Sequence, residues 1–250
     1  MAKKNELECL KTIVDAYCYK TSCARVNFDN GDCRWLSRVL QNAKETGSDN
    51  TFPDFVSDGA IIEHFQITSA KEGRKGSLYM AEDSKNNAQW EREFQKKKDD
   101  FLNSPLKPGT LTSILNEHEY GDFSYENLLN SIKSNVDSHI KSLEKSGITN
   151  KKVIFIMEQP DARLCKTKTY SSCEFYLLHE DREALRILKR YARKIDFVIY
   201  KVADSIEVID LSKIDYLIET GLDLSDVKPG KIRKIDIGLF GDVSGNKSGF

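Results

Sequence analysis

The sequence predicts an α/β fold, in which a mixed central β-sheet is flanked by helices and carries an N-terminal helical extension. Apolar residues recur at spacings of three and four over residues 5–18 and 124–146, as in helices with one buried face. Runs rich in β-branched residues at 151–158 and 196–202 are typical of buried strands. The alternation of strand, helix and strand along the chain favours a sheet covered by helices.

The chain length allows either one α/β domain with helical additions or two small domains, because 250 residues can bury a substantial core. We predict an N-terminal helical segment over residues 1–48 that packs on the core. An α/β domain is expected over residues 49–240. The Gly- and Ser-rich residues 241–250 are expected to form a flexible tail.

Composition limits the classes of function. The net charge of −1 gives no overall field that attracts nucleic acid, so any such affinity must come from a local basic patch or from metal ions. The sequence contains neither a secretory signal nor an apolar run of membrane-span length, which predicts a cytoplasmic protein. Its six cysteines form no CxxC pair, which argues against a zinc ribbon and favours free, mostly buried thiols.

The first half of the chain is expected to be mainly helical outside one apolar hairpin. The helices predicted here are residues 5–18, 32–46 and 84–102. Asn30 or Asp32 suits the N-cap of the second helix, and Gly47 is expected to end it. Residues 70–78 are polar and contain glycines, so we predict a loop there.

The second half is expected to alternate between helices and strands. The elements predicted here are a helix over 124–146, a strand over 151–158, a helix over 181–194, and strands over 196–202 and 205–211. Ser124 is a good N-cap and Gly147 a good C-cap for the long helix.

Residues 52–66 are the most informative stretch, because two short apolar runs flank Asp58-Gly59. This dipeptide is preferred in two-residue hairpin turns of type I′, which require positive φ at both central positions. If these two residues form the loop, the pairing register places Asp54 directly opposite Glu63.

Directly opposed side chains have β-carbons about 5 Å apart, and like charges at that distance are destabilising. A shared divalent cation such as Mg²⁺ or Mn²⁺ would compensate Asp54 and Glu63, since hard cations take carboxylate and water ligands. Two alternatives remain open at this point. Asp54 caps a turn, or the two acids pair with nearby lysines or arginines.

The order Pro53-Asp54, an interval, and then Glu63 on an apolar strand resembles the PD-(D/E)xK superfamily of nucleases. The resemblance implies a restriction endonuclease-like fold, Mg²⁺ bound by the Asp and the Glu, and hydrolysis of DNA phosphodiester bonds. In that superfamily a lysine two positions after the Glu positions or polarises the attacking water. Here Phe65 occupies the lysine position, and it cannot take this role.

Two substitutes for the lysine are consistent with the sequence. A bulge would turn Gln66 into the site, or the glycine-containing loop would bring Lys71 or Lys75 to it. If neither occurs, the domain binds nucleic acid or a protein partner without catalysis. The resemblance also implies that His64 contributes its backbone carbonyl to the metal, while strand alternation directs its side chain to the opposite face.

Two further features carry alternatives. Glu158 follows a buried strand, where either a ligand site or a polar strand terminus is expected. The predicted helix over 181–194 has a basic face that would contact DNA phosphates or remain simply solvated. Its candidate nucleic-acid-binding residues are Arg186, Lys189, Arg190 and Arg193. The sequence leaves a monomer and a homodimer both open.

Overall fold

The computed structural model describes residues 2–19, 23–26, 30–47, 52–73, 76–103, 111–120, 123–160, 165–169, 172–203, 205–225 and 232–241. The chain divides into two compact units. The first comprises Met1–Ala70 and Phe123–Pro229, and the second comprises Lys71–Asp122 and Gly230–Phe250. The N-terminal helices predicted over residues 1–48 belong to the same unit as the main sheet. Residues 71–122, predicted to lie within the α/β domain over 49–240, belong to the second unit.

The first unit is an α/β structure, as predicted. Its helices are α1 (Ala2–Tyr19), α2 (Asn30–Gln41), α4 (Tyr125–Ser146), α5 (Arg182–Lys189) and α6 (Ile214–Thr220). Its strands are β1 (Cys23–Val26), β2 (Lys44–Glu45), β3 (Phe55–Ser57), β4 (Ala60–Gln66), β8 (Lys152–Gln159), β9 (Cys165–Thr169), β10 (Ser172–Phe175), β11 (Phe197–Val202) and β12 (Ser205–Asp210). Strands β9 and β10 form a separate antiparallel pair.

The main sheet of this unit has seven strands in the order β1-β12-β11-β8-β4-β3-β2. Strands β4, β8 and β11 run parallel to one another, while β3 and β12 are antiparallel to their neighbours β4 and β11. The carboxyl ends of three adjacent strands therefore meet at one edge of the sheet. Such edges are the usual place for ligands in open α/β sheets.

Both faces of the sheet are buried, which explains the continuous apolar runs in β8 and β11. One core contains the inward side of α4, which includes Leu128, Ile132 and Val136, together with Ile61 and Phe65 of β4. The opposite core contains α1 and α2 against the alternate residues of β4. Successive residues of β4 thus enter different cores, and this alternation decides which side chains can form a site together.

The second unit is described separately. Its elements are β5 (Glu72–Gly73), β6 (Gly76–Ser77), α3 (Leu78–Leu102), β7 (Leu111–Tyr120) and β13 (Ile232–Gly241). Strands β7 and β13 form an antiparallel pair that is ten residues long on each strand. The predicted helix over 84–102 is present but begins at Leu78, so the predicted loop over 70–78 contains the small β5–β6 pair instead.

The predicted hairpin is present with the predicted register, since Phe55, Val56 and Ser57 pair with Ile62, Ile61 and Ala60. The predicted turn type was wrong. Gly59 has a φ of 73°, but Asp58 is not among the residues with positive φ, which type I′ would require.

The predicted caps of helix α4 are confirmed. The Ser124 side chain accepts from Asn127 N–H, and Gly147 adopts the left-handed conformation at φ 65°. Two other helix ends were predicted too late. Helix α2 stops at Gln41, and Lys44 and Glu45 then join the edge of the sheet. Helix α5 stops at Lys189. In both cases the sequence continues to favour a helix where tertiary contacts select a strand or a turn.

Candidate functional site

Asp54 and Glu63 lie together at the start of β3, as the hairpin register requires. The backbone N–H of Asp54 donates to Glu63 Oε2 at 3.1 Å. The N–H of His64 donates to Asp54 Oδ2 at 2.8 Å. The backbone at Asp54 therefore binds the Glu63 carboxylate, and the backbone that follows Glu63 binds the Asp54 carboxylate.

This carboxylate pair is electrostatically unfavourable without a cation. Burial, followed by the nearby charge of Glu63, raises the pKa of Asp54 from its ordinary value of 3.8 to about 6. The hydrogen bond from His64 N–H and the imidazoles of His64 and His139 lower it only in part. Two carboxylates in this state are suitable ligands for a hard divalent cation, with water completing its coordination.

His139 of α4 contacts Glu63, one member of the pair. Its Nδ1 lies 2.7 Å from Glu63 Oε1. A carboxylate can only accept, so Nδ1 donates when Glu63 is ionised, and in the neutral imidazole the lone pair is then on Nε2. The imidazole is 24 % exposed, whereas Glu63 is 8 % exposed. A histidine oriented by a buried carboxylate is a suitable general base or metal ligand.

Phe65, in the position where the superfamily has lysine, belongs to the hydrophobic core and is 5 % exposed. Its ring stacks on His139 with centroids 4.5 Å apart. It also meets Phe155 edge to face at 5.4 Å. The Phe65 ring thus holds the imidazole plane beside Glu63. The position where the resemblance implies a lysine amine is instead occupied by a ring that packs against a histidine.

The opposite face of β4 carries a second polar cluster. As alternation predicts, His64 directs its side chain there, with Nε2 3.2 Å from Glu158 Oε2. Lys201 donates to Glu158 Oε1 at 2.7 Å, and Gln66 donates to Oε2 at 3.4 Å. Gln66, Glu158 and Lys201 are register partners across β4, β8 and β11. They form a row at the shared carboxyl edge of the parallel strands.

The protonation of this second cluster follows from its contacts. Burial raises the pKa of Glu158, but hydrogen bonds from His64 and Lys201 outweigh it and hold that pKa at about 2. Burial, followed by the charge of Glu158, raises the pKa of the Cys9 thiol to about 12. The thiol is therefore protonated near neutral pH.

A cavity of about 280 Å³ adjoins this row of side chains. Its lining residues are Asn5, Glu8, Cys9, Thr12, Gln66, Glu158, Pro160 and Lys201. The lining is mainly polar, whereas most small-molecule pockets are lined by apolar side chains. Both interpretations that the sequence left open for Glu158 therefore stay predictions.

Of the residues predicted to replace the lysine, Gln66 is not brought to the carboxylate pair. The β4–β8 register is continuous through Gln66, so the predicted bulge was wrong, and this side chain lies on the other face with Glu158. Lys71 is exposed and belongs to the second unit. Lys75 lies outside the described residues. A contact of either amine with Asp54 and Glu63 stays a prediction.

The basic residues predicted to bind DNA fall into two groups. Arg186 pairs with Glu183, and Lys189 pairs with Asp215. Arg190 and Arg193 lie in the turn that follows α5 and are exposed. Arg186 and Lys189 are therefore less available to phosphates than Arg190 and Arg193, because acids already bind them. Binding of nucleic acid by either group stays a prediction.

Two features of these clusters were missed from the sequence. His139 lies three residues after Val136 and four before Leu143, which places it on the inward side of α4. A polar side chain at this helical spacing indicates a polar contact within the core. Cys9 was expected only as a buried thiol. Within the described part of the chain, Cys9, His64 and Glu158 form the one group of three metal-ligating side chains whose ligand atoms lie within 4.8 Å of one another.

No protein-family model, curated protein or solved structure matches this chain. Within the described part of the chain, none of the helices combines the length and apolarity that a membrane crossing requires. The resemblance to the PD-(D/E)xK superfamily consequently rests on the residues named above, and it stays a prediction.

Proposed function

We propose that the protein is a metal-dependent phosphodiesterase of PD-(D/E)xK type that hydrolyses DNA, with Asp54 and Glu63 as the ligands of Mg²⁺ or Mn²⁺. The observation that supports this most strongly is the interlocked carboxylate pair, in which burial and mutual repulsion raise the pKa of Asp54 to about 6. A divalent cation between the two carboxylates would offset both causes.

The donor set fits this ion. Both ligands are carboxylates, which suit Mg²⁺ and Mn²⁺ better than softer metals. Glu63 is oriented through Oε1 by His139, as metal-ligating carboxylates commonly are by a neighbouring group. When bound, such an ion lowers the pKa of a coordinated water and neutralises charge that builds on the phosphate.

His139 takes the role that the superfamily gives to lysine. With Nδ1–H donating to Glu63, the lone pair on Nε2 accepts a proton from the attacking water, and the carboxylate stabilises the imidazolium that results. Phe65 acts as a positioning residue, because its ring holds the imidazole plane against rotation.

Arg190 and Arg193 are proposed to hold the DNA backbone, since exposed cations supply most of the sequence-independent affinity for phosphates. Arg186 and Lys189 contribute less, because each is already paired with an acid. We place the protein in the cytoplasm, where free thiols such as Cys9 and Cys33 remain reduced.

The assay that tests the proposal uses Mg²⁺ or Mn²⁺ at low salt with supercoiled, linear and single-stranded DNA, and with RNA. Wild type should cut DNA slowly. Asp54→Asn and Glu63→Gln should not. Asp58→Asn is the matched control, because it makes the same chemical change at an exposed position of the same hairpin. Calorimetry with Mn²⁺ gives a second readout, in which the heat of binding disappears in the two inactive variants only.

One observation favours a non-catalytic alternative. Phe65 is part of the core, so the lysine position is used for packing, and a domain of this type would bind nucleic acid or a protein without cutting. Wild type that binds DNA but remains inert with both metals, and that gives the same Mn²⁺ heat as Asp54→Asn, would establish this alternative and refute the phosphodiesterase.

A further inference from the structure

The second polar cluster, on the α1 side of β4, has the ligand chemistry of a different kind of metal site. Cys9 contributes sulfur, His64 nitrogen and Glu158 oxygen, and these ligand atoms lie within 4.8 Å of one another. The three residues come from α1, β4 and β8, which are separate elements joined by one hydrophobic core. Their positions are therefore fixed by packing, as a preorganised site requires.

The distances are close to those of a coordinated ion. Ligand bonds of about 2.0 to 2.3 Å in a tetrahedral zinc site place neighbouring ligand atoms about 3.3 to 3.8 Å apart. His64 Nε2 and Glu158 Oε2 are already separated by 3.2 Å. The Cys9 sulfur lies within 4.8 Å of both atoms, and a small adjustment of its side-chain torsion brings it to bonding distance of a shared ion.

The ligand types discriminate between metals. Thiolate and imidazole favour Zn²⁺ and similar borderline ions, whereas Mg²⁺ and Ca²⁺ take oxygen ligands. Cys9 is 3 % exposed and His64 is 7 % exposed, so the cluster also offers the low-dielectric surroundings in which a cation interacts strongly with its ligands. The two faces of β4 are thus suited to different ions.

Lys201 has a defined place in this arrangement. It holds Glu158 Oε1 at 2.7 Å and leaves Oε2 directed towards His64. A cation that binds one oxygen of a carboxylate fixes the direction in which the other oxygen can ligate a metal. Cys9, Glu158 and Lys201 all line the 280 Å³ cavity, so a fourth coordination position would face space that admits water or a small ligand.

We propose that Cys9, His64 and Glu158 form a Zn²⁺-type site with three protein ligands and one open position that faces the cavity. Three protein ligands with an open fourth position distinguish reactive zinc sites from closed structural ones. This site is separate from the proposed Mg²⁺ or Mn²⁺ site, because it lies on the opposite face of β4 and uses none of its side chains.

The experiment uses Co²⁺ as a spectroscopic substitute for Zn²⁺, because a cysteine thiolate bound to Co²⁺ gives a ligand-to-metal charge-transfer band that oxygen and nitrogen ligands do not give. Chelator-treated, reduced protein that comprises all 250 residues is titrated with Co²⁺ and then with Zn²⁺. Wild type should develop the band up to one equivalent, and Zn²⁺ should abolish it. Cys9→Ser should lack the band, and His64→Gln should weaken Co²⁺ binding.

Cys33→Ser is the matched control, because Cys33 is a free, partly buried cysteine on the neighbouring helix α2. It should retain the full band. Asp54→Asn should also retain it, which separates this site from the carboxylate pair. A wild-type protein without the band overturns the proposal, and so does a band that survives in Cys9→Ser. The first result would show that Glu158 and its partners form only a hydrogen-bond network, and the second that another cysteine binds the ion.

Discussion

Phe65 lies flat against the imidazole of His139, with ring centroids 4.5 Å apart and 15° between the ring planes. Phe65 occupies the position where the resemblance to the PD-(D/E)xK superfamily implies a lysine, and it contacts the histidine whose Nδ1 lies 2.7 Å from Glu63 Oε1. If Asp54 and Glu63 form the proposed metal site, Phe65 does not by itself show that the site lacks a base, because packing places the imidazole of His139 beside Glu63.

Replacement of His139 should reduce DNA cutting more than it reduces stability. Loss of a general base lowers turnover by about 10²- to 10⁴-fold, so His139→Gln should lower kcat while KM changes little. His179→Gln is the matched control, because His179 also contacts a carboxylate, Glu207, at 2.7 Å in the same unit. Steady-state kinetics would contradict the role if both variants lost activity equally.

Asp54 should make the metal-free protein less stable at higher pH. Its pKa is about 6 in the folded state against 3.8 ordinarily, so the native state holds the proton more tightly than the unfolded chain does. Stability therefore falls as pH rises between these two values. Asp54→Asn should be more stable than wild type by roughly 1 to 2 kcal/mol at pH 7.5, after allowance for partial exposure, and by almost nothing near pH 4.

Urea unfolding of metal-free protein at both pH values checks this expectation, with Asp58→Asn as the exposed control. Added Mn²⁺ should stabilise wild type at pH 7.5 and leave Asp54→Asn unchanged, since an ion that binds only the native state stabilises it. A wild type that gains stability between pH 4 and pH 7.5 relative to Asp54→Asn would show that the sign is wrong.

Asp181 should be among the most sensitive structural positions. It caps α5 by accepting from the N–H groups of Glu183 and Ala184, and its carboxylate also accepts from the hydroxyls of Tyr125 and Tyr176 at 2.7 and 2.6 Å. Asp181→Ala leaves these buried donors without their acceptor and should cost about 3 to 5 kcal/mol. Chemical denaturation measures it, and a loss below about 1 kcal/mol, as for an ordinary exposed cap, would contradict the network.

The two groups of cations near α5 should differ in their effect on DNA binding. Arg190→Ala with Arg193→Ala should weaken binding and reduce the slope of log K against log salt by about 0.9 per lost phosphate contact. Arg186→Ala with Lys189→Ala should change the slope less, because both side chains are engaged by acids. Fluorescence anisotropy over a range of salt concentrations provides the comparison, and equal slopes in all variants would exclude this surface.

The sequence by itself determined the local features. The Asp-Gly turn and its apolar flanks fixed the pairing of Phe55 with Ile62, and Ser124 and Gly147 fixed the limits of α4. These features depend on residues within a few positions of one another, where turn chemistry and capping act directly. The α/β class followed in the same way from the period of the apolar residues.

Tertiary structure alone decided which distant side chains meet. His139 reaches Glu63 across 76 positions of the chain, and His64 reaches Glu158 across 94. No spacing rule predicts such contacts, because they depend on which helix covers which face of the sheet and on its rotation there. The same reason explains the missed strands β7 and β13. Their pairing joins residues 112 to 130 positions apart, from Tyr120 with Ile232 to Leu111 with Gly241, and long-range pairing rather than local preference makes a strand of such a segment.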